Sequence, residues 1–434
     1  MDELTQKFFE ALLRTQFLPP ERMMAYQRGL LEKLVRHTRA QVPFYRDSGR
    51  LDVLFRSDGR VDWERWDEIA ILTRSEAQAN CDQLYAETLP PDCGDIVSGL
   101  TSGSTGKPLA FRINGIMAAA GSAVLERGLV WAGMSETPTL AWLLNPREDE
   151  GQYPYGTVYR TRIRGGEREI HQLAVRTPLE QQGQWLARLR PTIVMGYPGA
   201  LALLARNLPR ELDDHAFRLA VCIGEVAGEA TRAAIEQGFH CPTIDVYSGS
   251  EFGIVAVEDR ANRRLFVSEE TMLVEFKPQA DIAGNGERLV ELIVTPFYNY
   301  AMPLIRYSTG DLAVVDDGPA PDDRMQRRLV RIVGRARDLF ILPSGRRWWP
   351  QVIGTRPVAE YLSFEQIQYA QTARGQIELR FVSQAAQPLR NAPELLAKLR
   401  AAVPEPVEFA FRQVPAIARQ PSGKYKDYVC EIED

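Results

Sequence analysis

Residues 100–111 read LTSGSTGKPLAF, so Thr101, Ser102, Gly103, Ser104, Thr105, Gly106 and Lys107 follow one another without interruption. Hydroxyls, backbone N–H groups left open by glycine and an ammonium together suit a loop that closes over a polyphosphate. The run is not a Walker A loop, which needs a glycine five positions before Gly106 and a helix after the lysine. Thr101 stands at that first position, and Pro108 and the strand-like PLAFRI follow Lys107.

Three later stretches carry groups that could complete a phosphate site. DVYSGSEFG, residues 245–253, sets Asp245, Tyr247, Ser248, Gly249, Ser250 and Glu251 at the expected end of a strand, where open α/β sheets bind ligands. IRYSTGDL, residues 305–312, leaves Asp311 after a Thr-Gly turn, an acceptor suited to ribose hydroxyls. RQPSGKYKD, residues 419–427, places Lys424 on a glycine loop near the end of the chain.

The elements that must hold these groups follow from periodicity. Helical spacing runs through 21–40 and stops before Pro43, and residues 73–87 read as another short helix. PLAFRI leads into a helix from Gly115, for which Asn114 is the expected cap. Strand TLAWLL, helix 178–190, strand TIVMGY, helix 199–207, strand FRLAVCIG, helix 227–238 and strand PTIDVYS then alternate. Such alternation implies crossover connections and a largely parallel sheet. From about residue 262, short strands separated by turns imply an antiparallel β subdomain, and after Arg335 a small α+β unit follows. The expected fold class is α/β, with a large domain over 1–335 and a small α+β domain over 336–434.

Composition narrows the function. At 434 residues the chain exceeds what one core usually supports. A net charge of −5 argues against nucleic acid or an anionic membrane as the main partner. No apolar run reaches membrane-spanning length, and MDELTQKFFEALLRTQF patterns as an amphipathic helix, not a signal peptide. A cytoplasmic location is expected. Cys81, Cys93, Cys222, Cys241 and Cys430 are scattered without zinc spacing, so no zinc is expected. His37, His171, His215 and His240 are equally scattered, which disfavours a histidine-centred triad.

Taken together, HTRAQVPFYRD, ILTRSEAQAN, TSGSTGKP, YSGSEFG, NYAMPLIRYSTGDL, GRARD and the terminal SGK make the chain resemble the adenylate-forming superfamily. The likeness is greatest to its short branch of phenylacetate–CoA ligases, CapK proteins and deazaflavin-cofactor adenylyltransferases. It implies that Thr101 to Lys107 hold the β- and γ-phosphates of ATP. Tyr247 would pack on adenine, with Asp245 and Ser248 beside it, Ser250 would bond the α-phosphate and Glu251 would hold Mg²⁺. Ser248 departs from the family's usual glycine. Gly224 and Glu225, in CIGEVAGE, would contribute to the adenine site, and Asp311 would bind the ribose. Arg335 would lie near the nucleotide and Asp338 at the hinge of a mobile C-terminal domain carrying the catalytic Lys424. Trp142, Tyr153, Tyr155, Tyr197, Pro198 and Gly249 are the expected acid pocket.

The implied reaction joins a carboxylic acid, expected to be aromatic, to AMP and then to the thiol of CoA or a phosphopantetheine. A small-molecule acid, an acyl carrier protein and a second copy of the chain are the candidate partners. Three alternatives keep the resemblance: another acceptor such as an amine, adenylylation of a hydroxyl or a small oxyanion such as nitrite, and a non-catalytic CapK-like protein of polysaccharide assembly.

Overall fold

The computed structural model describes residues 2–101, 108–134, 138–145, 150–279, 282–283, 287–335, 338–353, 356–383, 389–418 and 427–432. Its centre is a twelve-stranded sheet. Strands Gly166–Ala174, Leu140–Leu144, Ile193–Gly196, Leu219–Ile223 and Thr243–Gly249 pair in parallel in that spatial order. Helices Leu179–Leu189, Pro198–Ala205 and Glu229–Phe239 form the crossovers that parallel pairing requires. Covered on both faces, these strands read as apolar runs such as LAVCI.

Each face has its own core. Helices Asp2–Thr15 and Gly115–Trp131 bury Phe9, Leu12, Ala123 and Val124 against Met195, Val221 and Val246. On the opposite face Trp185, Leu201, Ile235 and Phe239 pack on Ala141, Val194, Ala220 and Cys222. The helix from Gly115 starts as expected, but Asn114 does not cap it with its side chain. Its Oδ1 instead accepts from Tyr300 N at 2.9 Å, because the buried 299–301 segment brings its own unsatisfied amide there.

Beyond Thr243–Gly249 the sheet continues antiparallel through Gly253–Asp259, Arg264–Val267, Arg328–Arg335, Tyr307–Asp316, Leu289–Pro296 and Met272–Pro278. The antiparallel half is therefore an extension of the parallel one. At the other edge lies a hairpin, Thr157–Ile163 with Gly166–Ala174, that the sequence reading passed over. Charged residues such as Arg160, Arg162 and Glu167 mask its strand pattern, as on other exposed edges.

Residues after 338 build a four-stranded sheet in the order Glu408–Gln413, Gln376–Val382, Gln366–Ala373, Tyr428–Cys430, with helix Ala392–Ala401. Phe340, Trp348, Tyr369, Leu379, Leu395 and Phe409 share its core. The adjacent Trp349 packs the other way, onto Leu312, Val314 and Val333 of the large sheet. Among the described residues no helix is long and apolar enough to cross a membrane.

Two helix glycines make the packing testable. A Cβ on Gly238 would lie 2.3 Å from the Ala205 carbonyl oxygen of the neighbouring helix, whereas one on Gly121 meets nothing within 4 Å. Gly238→Ala should therefore lose about 1–3 kcal/mol through overpacking. Gly121→Ala should be neutral or gain up to about 1 kcal/mol from helix propensity. Denaturant unfolding of both variants checks this, and equal responses would contradict the packing described.

Candidate active site

Strands Ile96–Leu100 and Ala110–Asn114 form an antiparallel hairpin with Leu100 opposite Ala110, so the hydroxyl-rich run springs from its tip. Thr101 ties the neck of that loop. Its amide donates to Leu109 O at 2.9 Å, and its Oγ1 accepts from Leu109 N at 2.8 Å. Ser102, Gly103, Ser104, Thr105, Gly106 and Lys107 lie outside the described residues.

Thr101 Oγ1 also accepts from Arg74 Nη2 at 2.6 Å, and Arg74 Nη1 donates to Glu251 Oε1 at 2.9 Å. The Tyr307 hydroxyl donates to the same Glu251 oxygen at 3.2 Å. Arg74 opens the short helix Arg74–Ala79, N-capped by the Thr73 side chain. Just before it, Leu72 is stitched to the large sheet, its amide donating to Arg306 O and its carbonyl accepting from Ser308 N, both at 2.9 Å. Arg74 and Tyr307 are thus held in register, and burial together with the Glu251 carboxylate pushes the Tyr307 phenol well up. Sequence reasoning gave Arg74 no role. Its signal was an arginine in the first turn of a helix, where the macrodipole disfavours a cation.

Glu251 sits in the tight turn from Gly249 to Gly253, its side chain 6% exposed. Oε1 takes both donors, and Oε2 accepts no hydrogen bond from the described residues. A carboxylate with one oxygen committed and one free suits a Mg²⁺ ion that draws its remaining ligands from phosphate and water. Gly249 has no room for a side chain, since a Cβ would lie 2.2 Å from Phe252 Cζ. Ser250 is exposed on the turn, and Ser248 precedes it in the strand.

A second group forms where Asp311 lies opposite Arg335 in neighbouring strands. Tyr247 OH donates to Asp311 Oδ2 at 2.8 Å, and Arg335 Nε lies 3.3 Å from Asp311 Oδ1. Burial, then the Asp311 charge, raises the Tyr247 pKa far above that of a free phenol, so the hydroxyl stays a donor. Burial alone would lower the Arg335 pKa, but Asp311, then Asp338, Tyr247 and Glu251, raise it. The phenol anchored at its tip fixes the ring, as a base-stacking platform requires.

Gly224 has φ +81°, and the Oε2 of Glu225 accepts from Gly199 N at 3.2 Å. Pro198, buried at the start of that helix, follows Tyr197, whose phenol is raised by burial and then by Glu225. Burial also pushes the Asp427 carboxyl up to about 7, with Glu225 adding to the rise. Lys424 itself lies outside the described residues.

Asp245 is drawn aside. Arg232 Nη2 lies 2.6 Å from its Oδ2, within an ion cluster that includes Glu258. Burial pushes its carboxyl up to about 7 against the pull of Arg232. Its Oδ1 is buried with no hydrogen-bond partner among the described residues.

The expected acid pocket is not gathered in one place. Trp142 packs beside the core that holds Met195 and Val221, and its buried Nε1 has no partner. Tyr153 packs on the opposite face, its hydroxyl on Gln184 at 2.8 Å, and Tyr155 is 80% exposed. Trp142 lies within a strand, whereas Tyr153 and Tyr155 lie in the turn before Thr157–Ile163. A cavity of about 360 Å³ lined by Arg288, Asp316, Asp317 and Gln326 shares no residue with the groups above.

No family model matches the chain. In sequence it is similar to a phenylacetate–coenzyme A ligase of Pseudomonas putida, 27% identical over 171 residues. That stretch spans 38% of this chain and 38% of the relative, well under half of either. A phenylacetate–coenzyme A ligase of Thermus thermophilus is 26% identical over 351 residues, 75% of this chain and 73% of that one. Among solved structures, a 2-hydroxyisobutyryl-CoA ligase in the postadenylation state, in complex with R3-HIB-AMP, superposes with a TM-score of 0.71. The superposition covers 97% of this chain and 91% of that one at 14% identity, a likeness of fold.

Thr101 is the part of this arrangement most open to test, since one oxygen serves both Leu109 N and Arg74 Nη2. Thr101→Val keeps the shape and removes the acceptor, so stability should fall by about 1–3 kcal/mol. Thr101→Ser should retain most of it. Urea midpoints for the two variants decide the point, and equal values would show that the hydroxyl holds nothing.

Proposed function

We propose that this chain, which has the fold of the adenylate-forming CoA ligases and phenylacetate–CoA ligases among its relatives, activates a carboxylic acid with ATP. The acid becomes an acyl-adenylate with release of pyrophosphate, and the acyl group then passes to the thiol of CoA or a phosphopantetheine. The observation that carries this reading is the meeting of distant segments. Arg74 links Thr101 to Glu251, and Tyr247, Asp311 and Arg335 form a chain of contacts beside them.

In this reading the loop rooted at Thr101 and carrying Lys107 receives the β- and γ-phosphates. Glu251 offers its free oxygen to Mg²⁺, which when bound would supply positive charge beside the departing pyrophosphate. Asp311 accepts from the ribose hydroxyls, the Tyr247 ring covers the base and Ser250 reaches the α-phosphate. The acid's carboxylate attacks the α-phosphorus. Its approach to another anion is the electrostatic problem the site must solve, so fixed cations and donors carry the catalysis. Lys424 supplies the ammonium that bridges the two anions, delivered by a C-terminal domain over 336–434 that pivots at Asp338 and later withdraws for the thiol. The phenylacetate named for the relatives favours an aryl or arylacetic acid as substrate.

Purified protein with ATP, Mg²⁺ and a panel of benzoic, anthranilic and arylacetic acids should release pyrophosphate with at least one, and should need Mg²⁺ to do so. Release with none of them, and with no hydroxyl or oxyanion substrate, would remove the enzyme reading altogether.

Lys424→Ala separates the two half-reactions. Adenylate formation should fall by roughly 10²-fold or more, while thioester formation from a supplied acyl-adenylate survives. Equal loss in both, or loss in neither, would reduce Lys424 to a surface charge.

A further inference from the structure

Arg74 sits at a place where a cation is disfavoured three times over. It occupies the first turn of a helix, where the backbone dipole opposes positive charge. Its side chain is only 18% exposed, so much of its hydration is lost. Its Nε is buried with no hydrogen-bond partner among the described residues, a cost it shares with Arg127 and Arg168 of the frame. Against these costs stand two bonds, to Thr101 at the neck of the hydroxyl loop and to Glu251.

The position explains the arrangement. The hydroxyl-rich run begins at Thr101, and the carboxylate suited to a divalent ion is Glu251, so Arg74 spans the interval between them. Without Arg74 the Glu251 carboxylate would face an incoming tetra-anion unneutralised. A guanidinium carries five donors in a planar fork, so it can hold a carboxylate along one edge and still offer N–H groups to phosphate oxygens. A lysine could not span both partners in that way.

We propose that Arg74 is a polyphosphate ligand of this site, bonded to Glu251 and Thr101 and turned in part to the β- or γ-phosphate when ATP binds. The proposal rests on the ATP-dependent reading above. Arg74 takes only Oε1 of Glu251, so a metal ion on Oε2 and the guanidinium can share the carboxylate. The role is specific to the two outer phosphates, which AMP lacks.

That distinction gives a binding test on the full chain. Affinities for AMP and for a non-hydrolysable α,β-methylene analogue of ATP with Mg²⁺ would be measured by calorimetry, alongside thermal unfolding, for the wild type, Arg74→Ala and Arg74→Lys. Arg74→Ala should weaken the ATP analogue by about 10-fold or more, the scale of a charge-assisted hydrogen bond, and leave AMP within about threefold. Arg74→Lys should recover part of the loss and serves as the informative variant if the alanine protein unfolds. Equal weakening of both nucleotides in Arg74→Ala and Arg74→Lys would mark a structural clamp, and unchanged affinity for both would leave Arg74 without a part in binding; either result overturns the proposal. A wild type that binds neither nucleotide would overturn the ATP-dependent reading first, and this proposal with it.

Discussion

The strand Thr243–Gly249 pairs in parallel with Leu219–Ile223 along one edge and antiparallel with Gly253–Asp259 along the other. That change of direction sets the rest. Parallel strands end together at one rim and need helices to return the chain, whereas antiparallel strands turn back at once through short loops. Thr243–Gly249 therefore finishes at the rim of the parallel half and turns immediately through Ser250, Glu251 and Phe252. The next antiparallel strands bring Tyr307 and Asp311 to the same rim from the far side. A crevice lined from two directions results from one change in strand pairing.

Charge is handled differently in the frame and at the rim. Arg127 with Glu270, Arg168 with Glu126 and Arg324 with Asp259 are deeply buried ion pairs, and Arg324 also reaches Asp322 and Glu270 also accepts from Gln326. Breaking such a pair leaves an uncompensated buried charge, so these pairs fix how helix Gly115–Trp131 and the loop around residue 324 sit on the sheet. At the rim the pairings are shared and incomplete. Glu251 Oε2 accepts no hydrogen bond from the described residues, and Asp311 is divided between Tyr247 and Arg335. Incomplete pairing at a partly open rim is what a charged ligand can complete.

The junction with the last hundred residues follows a simpler rule. Trp348 and Trp349 are neighbours in extended chain, so their side chains point to opposite sides and enter separate cores. Beside them Arg347–Trp348 pairs in parallel with Ile282–Ala283 of the preceding part of the chain. Gly334, at φ +132°, makes room for the Trp349 ring, where a Cβ would come within 2.6 Å. Among the described residues, the Trp349 indole, Leu339 and this short strand pairing join the residues after 338 to the preceding part of the chain.

What the sequence determined by itself was the order of elements and the identity of the reactive types. Alternating apolar runs and helical spacings are local signals, because an exposed or buried face repeats every two or three to four residues. The same holds for glycine turns, so the neck at Thr101 and the turn at Glu251 were visible as patterns. Only the tertiary structure decided which residues meet. Arg74 and Glu251 are 177 positions apart and Tyr45 and Pro303 are 258 apart, and no local period records such a contact. Trp142 and Tyr153 stand close in the sequence yet pack against different cores, and Asn114 left its helix cap for a distant amide. Strand order in the sheet sets these meetings, and strand order depends on which faces can be buried together across the whole chain.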